Sequence, residues 1–133
     1  MFNGPHEDRL AIRERIEAYS DAVFRKDADD WIANWSEDGV WRLPGMEVAG
    51  KAQIKAAWIG AMSGFAVAGF FATPGAIEVR GDQASVRVYT QEVLIDHAGD
   101  VRRIVGAYDD ALVKIAGAWL FASRTYTVLH VQS

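Results

Sequence analysis

Two charged residues among apolar neighbours are the first candidates for chemistry in this chain. Asp110 and Arg124 lie in the two arms of a predicted strand pair that turns at Ala116-Gly117, and both arms are rich in β-branched and aromatic residues. Because side chains alternate between the two faces of a strand, each charge shares its face with mainly apolar residues. A carboxylate or guanidinium in such surroundings needs a partner. We therefore interpret the pair as the floor of a pocket.

Asp27, which follows the first predicted helix, completes a candidate catalytic set with Asp110 and Arg124. Either carboxylate could act as an acid or a base, and burial would raise its pKa. Arg124 could bind a carboxylate or an enolate oxygen with two parallel hydrogen bonds. The alternative for Asp27 is a helix N-cap or an ion pair with Arg124. The alternative for Asp110 and Arg124 is a purely structural pair.

A second group of residues is predicted to contact a ligand. Tyr19 and Tyr108 could donate hydrogen bonds to a ligand carbonyl, and their alternative role is as core residues with a satisfied hydroxyl. Glu92 would line the pocket or its mouth. The tryptophans would form core and lid and would suit a flat apolar or aromatic ligand. The full predicted set of ligand contacts is Tyr19, Trp41, Trp58, Phe70, Thr90, Glu92, Tyr108 and Tyr126.

Composition and charge restrict the class of partner. The chain has 133 residues, no cysteine and a formal net charge of −4. Lys and Arg are not clustered, so nucleic acid is not an expected partner. No apolar run approaches the roughly 20 residues of a membrane span, and the cysteine-free composition suits a cytoplasmic protein. The three histidines, His6, His97 and His130, fit no metal-ligand spacing, and we expect no metal and no cofactor.

Apolar periodicity predicts three helices in the first half of the chain. The first has apolar residues at helical spacing from Ile12 to Val23 and is expected to end near Lys26. A short second helix is expected to begin at Asp27 and to run through Trp35. After a small hairpin, a third helix is expected over residues 51–62.

The second half of the chain predicts a meander of four long antiparallel strands. The first is expected over residues 66–80, with a bulge or bend at Thr73-Pro74-Gly75, and the second over residues 84–97. The two arms around the Ala116-Gly117 turn complete the sheet. Helices on one side of such a curved sheet make an α+β cone with an internal cavity, and we expect a single domain over residues 1–133.

Strict alternation along these strands assigns an inner and an outer face. On the last strand it places Leu120 and Ala122 inward with Arg124 and Tyr126. The outer face mixes apolar residues with Arg and Tyr, which is typical of a subunit contact. We therefore predict a homodimer through this outer face. Its predicted residues are Arg87, Tyr89, Gln91, Val93, Ile95, Arg103, Val105 and Phe121.

The ordered set of elements and short motifs resembles the nuclear transport factor 2-like superfamily, and within it the SnoaL-like group that includes polyketide cyclases. The resemblance extends from about residue 8 to residue 130. It implies the cone-shaped α+β fold. The residues that carry it are Tyr19, Asp27, Gly-Val-Trp at 39–41, Gly50, Gly-x-Tyr-x-Asp at 106–110 and Gly-x-Trp at 117–119.

Two enzymes of this superfamily bear on individual positions. The chain is similar to hexachlorocyclohexane dehydrochlorinase at Asp27, Asp110 and Arg124. The position that corresponds to its catalytic His is Phe70, or Phe71 with a one-residue slip, and residues 62–96 contain no His. Elimination by an Asp-His dyad is therefore not expected. Tyr19 matches the helix tyrosine of ketosteroid isomerase, whereas the isomerase base corresponds to Trp41 or Arg42 here.

The resemblance implies a protein that binds a small apolar, cyclic metabolite inside the cone. Scytalone dehydratase, ketosteroid isomerase and the cyclases are members, so cofactor-free isomerisation, dehydration or cyclisation are the implied reactions. The alternative is a non-catalytic ligand-binding or dimerisation module with a structural Asp/Arg cluster.

Overall fold

The computed structural model describes residues 1–133 and contains three helices and one seven-stranded mixed sheet. The elements in chain order are β1 (Phe2–Asn3), α1 (His6–Arg25), α2 (Ala28–Ile32), β2 (Trp35–Leu43), β3 (Met46–Ala49), α3 (Lys51–Met62), β4 (Phe65–Arg80), β5 (Gln83–Asp96), β6 (Val101–Ile115) and β7 (Ala118–Gln132). The order across the sheet is β1-β4-β5-β6-β7-β2-β3. The predicted α+β class and the meander β4 to β7 are confirmed.

The helices cover one face of the sheet because their apolar residues recur at helical spacing. In α1 the residues Ile12, Ile16, Tyr19 and Val23 are all buried, and the helix ends at Lys26 in a left-handed conformation with φ of 54°. None of the three helices has the length and apolarity that crossing a membrane requires.

The second helix is shorter than the sequence predicts. It ends at Ile32, and Trp35 opens β2 instead of lying in the helix. Trp35 pairs in parallel with Phe121 of β7, and the Phe121 amide donates to the Asn34 carbonyl at 2.9 Å. A pairing with a strand more than 80 residues away therefore overrides the local helical spacing.

Bulges decide which side chains face the cavity. The predicted irregularity at Pro74 is confirmed, since the register of β4 against β5 shifts between Pro74 and Ala76. A second shift occurs where Leu112 pairs with Phe121 but Ala111 pairs with Ser123. Ala122 is the extra residue in β7, so the alternation of side chains between the two faces of the strand reverses after it.

This bulge corrects the strict alternation expected for β7. Phe121, predicted to face outward, is completely buried in the core. Leu120 and Ala122, predicted to face inward, are only partly buried and line a separate open groove. Arg124 faces inward, as predicted. The extra residue Ala122 places Phe121 and Arg124 on the same face of β7, although they are three positions apart.

The core is an aromatic cluster between the helices and the inner face of the sheet. Trp31 of α2 stacks on Trp58 of α3, with ring centroids 4.6 Å apart. The Tyr19 ring lies 5.4 Å from Trp31, 5.5 Å from Phe121 and 5.6 Å from Phe70. Tyr19 therefore joins all three parts of the core: the helices, β4 and β7.

The Ala116-Gly117 turn offers a test of the predicted hairpin. Both residues have positive φ, 50° and 82°, which is the conformation of a type I′ turn. Asn tolerates this conformation better than Ala, so we expect Ala116→Asn to raise the free energy of unfolding by up to about 1 kcal/mol in urea denaturation. Ala116→Val is the control with opposite sign, because a β-branched residue resists positive φ. Equal stabilities of the two variants would contradict the turn type.

Candidate functional site

Asp110 and Arg124 form a completely buried ion pair. They lie directly opposite each other on β6 and β7, and Arg124 donates to both carboxylate oxygens, at 2.8 and 3.0 Å. Both side chains have no solvent exposure. The guanidinium carbon also lies near three aromatic rings, 3.9 Å from the centroid of Tyr108, 4.3 Å from Phe121 and 4.5 Å from Tyr19.

The electrostatics of this pair favour a structural role. Burial raises the pKa of Asp110, and Arg124 opposes that rise. Burial alone would lower the pKa of Arg124, but Asp110, Tyr19 and Tyr108 outweigh it, and the net direction is upward. Arg124 is therefore a permanent cation whose Nε and Nη2 groups donate to Asp110, while its buried Nη1 group has no hydrogen-bond partner. Neither residue lines the cavity described below.

Asp27 does not join this pair, so the predicted convergence of three charged residues does not occur. Its side chain accepts a hydrogen bond from the Asp30 amide at 3.0 Å and so caps α2. It also lies 3.2 Å from Arg25, and 40% of the side chain is exposed. The local alternative, an N-cap, describes this residue.

An apolar cavity of about 390 Å³ lies between the helices and the inner face of the sheet. Twelve of its fifteen lining residues are hydrophobic. All predicted ligand contacts except Thr90 line it. Those contacts are Tyr19, Trp41, Trp58, Phe70, Glu92, Tyr108 and Tyr126. The remaining lining residues are Val23, Leu43, Ala61, Met62, Phe65, Gly69, Leu94 and Arg102.

Glu92 is the one carboxylate that lines this cavity. The Tyr126 hydroxyl donates a short hydrogen bond to its Oε2 atom. Burial raises the pKa of Glu92, while that hydrogen bond and the charges of Arg124 and Arg102 oppose the rise. Thr90 lies beside Glu92 and Tyr126, and its hydroxyl lowers the pKa of both groups. A half-buried carboxylate with a raised pKa is suited to general acid–base chemistry.

A glycine on the neighbouring strand makes room for this arrangement. Gly106 pairs with Thr90, and a Cβ atom at Gly106 would overlap the hydroxyl end of the Tyr126 ring. The missing side chain therefore allows Tyr126 to lie across β6 and reach Glu92. The sequence already marks this glycine, because Gly106 is the first residue of the Gly-x-Tyr-x-Asp motif.

Two further phenols face the cavity next to the buried pair. Burial raises the pKa of Tyr108 well above its usual value and also raises that of Tyr19, so both remain protonated donors. The Trp41 indole donates to the Tyr108 hydroxyl at 3.3 Å. The Tyr108 and Tyr126 rings are 4.7 Å apart. One end of the cavity thus offers hydroxyl donors above a buried cation.

Comparison with known proteins identifies the family. Residues 5–125 match the profile of the SnoaL-like domain. The chain belongs to the SnoaL-like domain family. No curated protein sequence matches it.

Solved structures with low sequence identity share the fold of this SnoaL-like protein. A suspected aromatic ring hydroxylase from Novosphingobium aromaticivorans is 24% identical, with a TM-score of 0.91 over 98% of this chain and 95% of that chain. A ketosteroid isomerase-like protein from Erwinia carotovora atroseptica is 23% identical, with a TM-score of 0.83 over 95% and 99%. Hexachlorocyclohexane dehydrochlorinase (LinA) Type2 is 14% identical, with a TM-score of 0.84 over 95% and 88%. The resemblance to the SnoaL-like group and the cone-shaped α+β fold that it implied are confirmed.

Phe70 marks where this SnoaL-like protein departs from the dehydrochlorinase pattern. Its ring is buried and lines the cavity, so the position that the resemblance aligns with a catalytic His carries no titratable group. Phe70 pairs directly with Glu92 on β5. Directly opposed residues have Cβ atoms about 4.5–5.5 Å apart. The carboxylate of this cavity, Glu92, therefore lies on the strand next to Phe70 and on the same face of the sheet.

The buried pair supports a stability prediction. Asp110→Asn leaves the Arg124 charge without a counter-charge in a closed core, so we expect a loss of about 3–5 kcal/mol in the free energy of unfolding. The double variant Asp110→Leu/Arg124→Met replaces the pair with apolar side chains and should be more stable than Asp110→Asn. Urea denaturation followed by circular dichroism measures both. Wild-type stability of Asp110→Asn would show that the pair is not electrostatically closed.

Proposed function

We propose that this SnoaL-like protein binds a small apolar, ring-containing metabolite in the cone cavity and catalyses cofactor-independent proton transfer on it. The observation that carries the proposal is Glu92, a half-buried carboxylate in a cavity whose other lining is almost entirely apolar. The family supports the reaction class, because SnoaL-like relatives in the superfamily include isomerases and dehydratases. The ligand class follows from the aromatic walls formed by Trp41, Trp58 and Phe70.

In the proposed reaction, Glu92 removes a proton from a carbon next to a carbonyl group. The electron pair left on that carbon moves onto the carbonyl oxygen and gives an enolate. Tyr108 and Tyr19 donate hydrogen bonds to that oxygen. Glu92 then returns the proton to another carbon, which is an isomerisation. In a dehydration, the enolate instead re-forms the carbonyl and a carbon–carbon double bond and breaks the bond to the hydroxyl group of the neighbouring carbon, which takes the proton from Glu92 and leaves as water.

Asp110 and Arg124 act on this reaction as positioning residues. Arg124 lies behind Tyr108 and Tyr19, and its positive charge lowers the pKa of both phenols against the larger effect of burial. The same charge favours negative charge on an oxygen held by these hydroxyls. Asp110 keeps the guanidinium in place. Asp27 has no part in the proposed reaction.

Two observations favour a non-catalytic binding module as the alternative. Phe70 replaces the His that the dehydrochlorinase pattern requires, and Asp110 and Arg124 bind each other outside the lining of the cavity. The cavity and its aromatic walls would then serve binding alone. The two functions differ in a single respect, whether Glu92 exchanges a proton with the ligand.

Deuterium exchange tests the catalytic proposal. We expect the protein to accelerate incorporation of deuterium at the carbon next to the carbonyl of 1-tetralone in deuterated buffer, measured by proton NMR. The rate should rise with pH through the raised pKa of Glu92, because only the ionised carboxylate accepts a proton. Glu92→Gln should lower the rate at least 100-fold, towards that of buffer.

The control for this experiment is Glu78→Gln, which removes an exposed carboxylate of β4 outside the cavity. It should exchange at the wild-type rate. Binding of 1-tetralone without exchange above the buffer rate would contradict catalysis and support the binding module. Equal rates for the wild type and Glu92→Gln would contradict the role of Glu92.

We further propose that two copies of the chain pair through the outer face of the sheet. Tyr89 and Val105 are 45% and 42% exposed there, and Val93 and Ile95 are half-buried. The exposed Arg87 and Asp109 pair across β5 and β6 on the same face. A two-fold arrangement would bury the apolar residues and bring each Arg87 close to an acidic partner.

Sedimentation at micromolar concentration tests the dimer. We expect a mass of about twice 14.7 kDa for the wild type. Val105→Glu should sediment as a monomer, because it places a charge in the centre of the contact. Ile59→Glu, which alters an equally exposed apolar residue on α3, should remain dimeric. A monomeric wild type would contradict the proposal.

A further inference from the structure

Arg102 is the one cation that lines the cavity. It lies at the beginning of β6, pairs with Leu94 on β5 and is exposed at the rim. Its guanidinium carbon is 6.0 Å from the Phe65 ring centroid. Unlike Arg42, Arg80 and Arg124, it has neither a side-chain hydrogen bond nor a salt bridge. An unpaired guanidinium therefore stands at the entrance of an otherwise apolar cavity.

We propose that the ligand of this cavity is a ring-containing carboxylic acid, and that Arg102 binds its carboxylate at the rim. This inference rests on the function proposed above and adds the chemical class of the substrate. A guanidinium presents two parallel N–H groups that match the two oxygens of a carboxylate. The apolar part of the acid would fill the space between Phe65, Trp58 and Tyr126.

The position of Arg102 relative to Glu92 sets the shape of such an acid. Glu92 pairs with Ile104, and Arg102 lies two residues before Ile104 on the same face of β6. Diagonal neighbours of this kind are about 7–8 Å apart along the sheet. The carboxylate of the ligand is thus separated from the carbon that faces Glu92, and a ring between the two groups spans that separation. The separation also limits repulsion between the two carboxylates.

The charge balance favours a monoanion. The cavity is lined by one anion, Glu92, and one cation, Arg102. A carboxylate uses the single cation completely, whereas a phosphate dianion would bring a second negative charge towards Glu92 with nothing to compensate it.

Binding of an acid would also act on Glu92. The Arg102 charge opposes the burial that raises the pKa of Glu92. A carboxylate bound to Arg102 neutralises that charge, so the pKa of Glu92 rises further once the ligand is in place. The Glu92 carboxylate is therefore a stronger base in the complex than in the free protein.

Calorimetric titration with a matched pair of probes tests the inference. The probes are 2-naphthoate and 2-naphthamide, which share a bicyclic ring and differ in charge. We expect the wild type to bind the acid about tenfold more tightly than the amide. Arg102→Gln should weaken binding of the acid about tenfold and leave binding of the amide unchanged. Arg102→Lys should restore part of the difference, because it restores the charge without the paired N–H groups.

The control is Arg103→Gln, which removes the same charge one residue further on, where the side chain does not line the cavity. It should bind both probes as the wild type does. Equal affinity of the wild type for acid and amide would overturn the role of Arg102 and leave the cavity as a binding site for apolar rings. Equal losses in the Arg102 and Arg103 variants would also overturn it, since general surface charge would then explain the preference. Failure of both probes to bind would overturn the proposed function itself.

Discussion

The buried ion pair between Asp110 and Arg124 fixes the floor of the cavity. A guanidinium enclosed by three aromatic rings cannot shift without breaking its hydrogen bonds to the carboxylate or its contacts with the rings. Tyr108 and Tyr19 lie between this cation and the cavity, so the position of the cation determines where their hydroxyls lie. Arg124 therefore determines the shape of one end of the cavity, although its own side chain does not line it.

That ion pair exists because β7 carries one extra residue. With regular alternation, Phe121 and Arg124 would face opposite sides, and only one of them could be buried. The bulge at Ala122 turns both inward. Sequence could predict the inner face of β5 and β6, the Ala116-Gly117 turn and the irregularity at Pro74, because Pro, Gly and uninterrupted alternation act locally. Neither Ala122 nor its neighbour Ser123 signals a bulge, since the preference arises from packing against another strand.

The same distinction explains which site residues could be recognised. Seven of the eight predicted ligand contacts line the cavity, since they lie on well-patterned strands and helices. The sequence leaves Asp27 open between a catalytic role and an N-cap, because a charged residue after a helix satisfies local capping as well as any distant partner, and the structure shows the cap. The resemblance directed attention to Phe70 and the missing His. The carboxylate opposite Phe70 becomes visible only when the register of β4 and β5 is known.

The location of Glu92 shows how a cone of this kind can change its titratable group while keeping its cavity. Neighbouring strands present several inward positions to the same space, so β5 can carry a titratable group as well as β4 without a change of the backbone. A group on β5 still needs a hydrogen-bond partner and room for it. Tyr126 supplies the partner, and the absent side chain of Gly106 supplies the room. A raised pKa then follows from the apolar walls, while Arg124 behind the floor and Arg102 at the rim limit how far it rises. The acid–base behaviour of Glu92 is thus a property of both ends of the cavity and not of the glutamate alone.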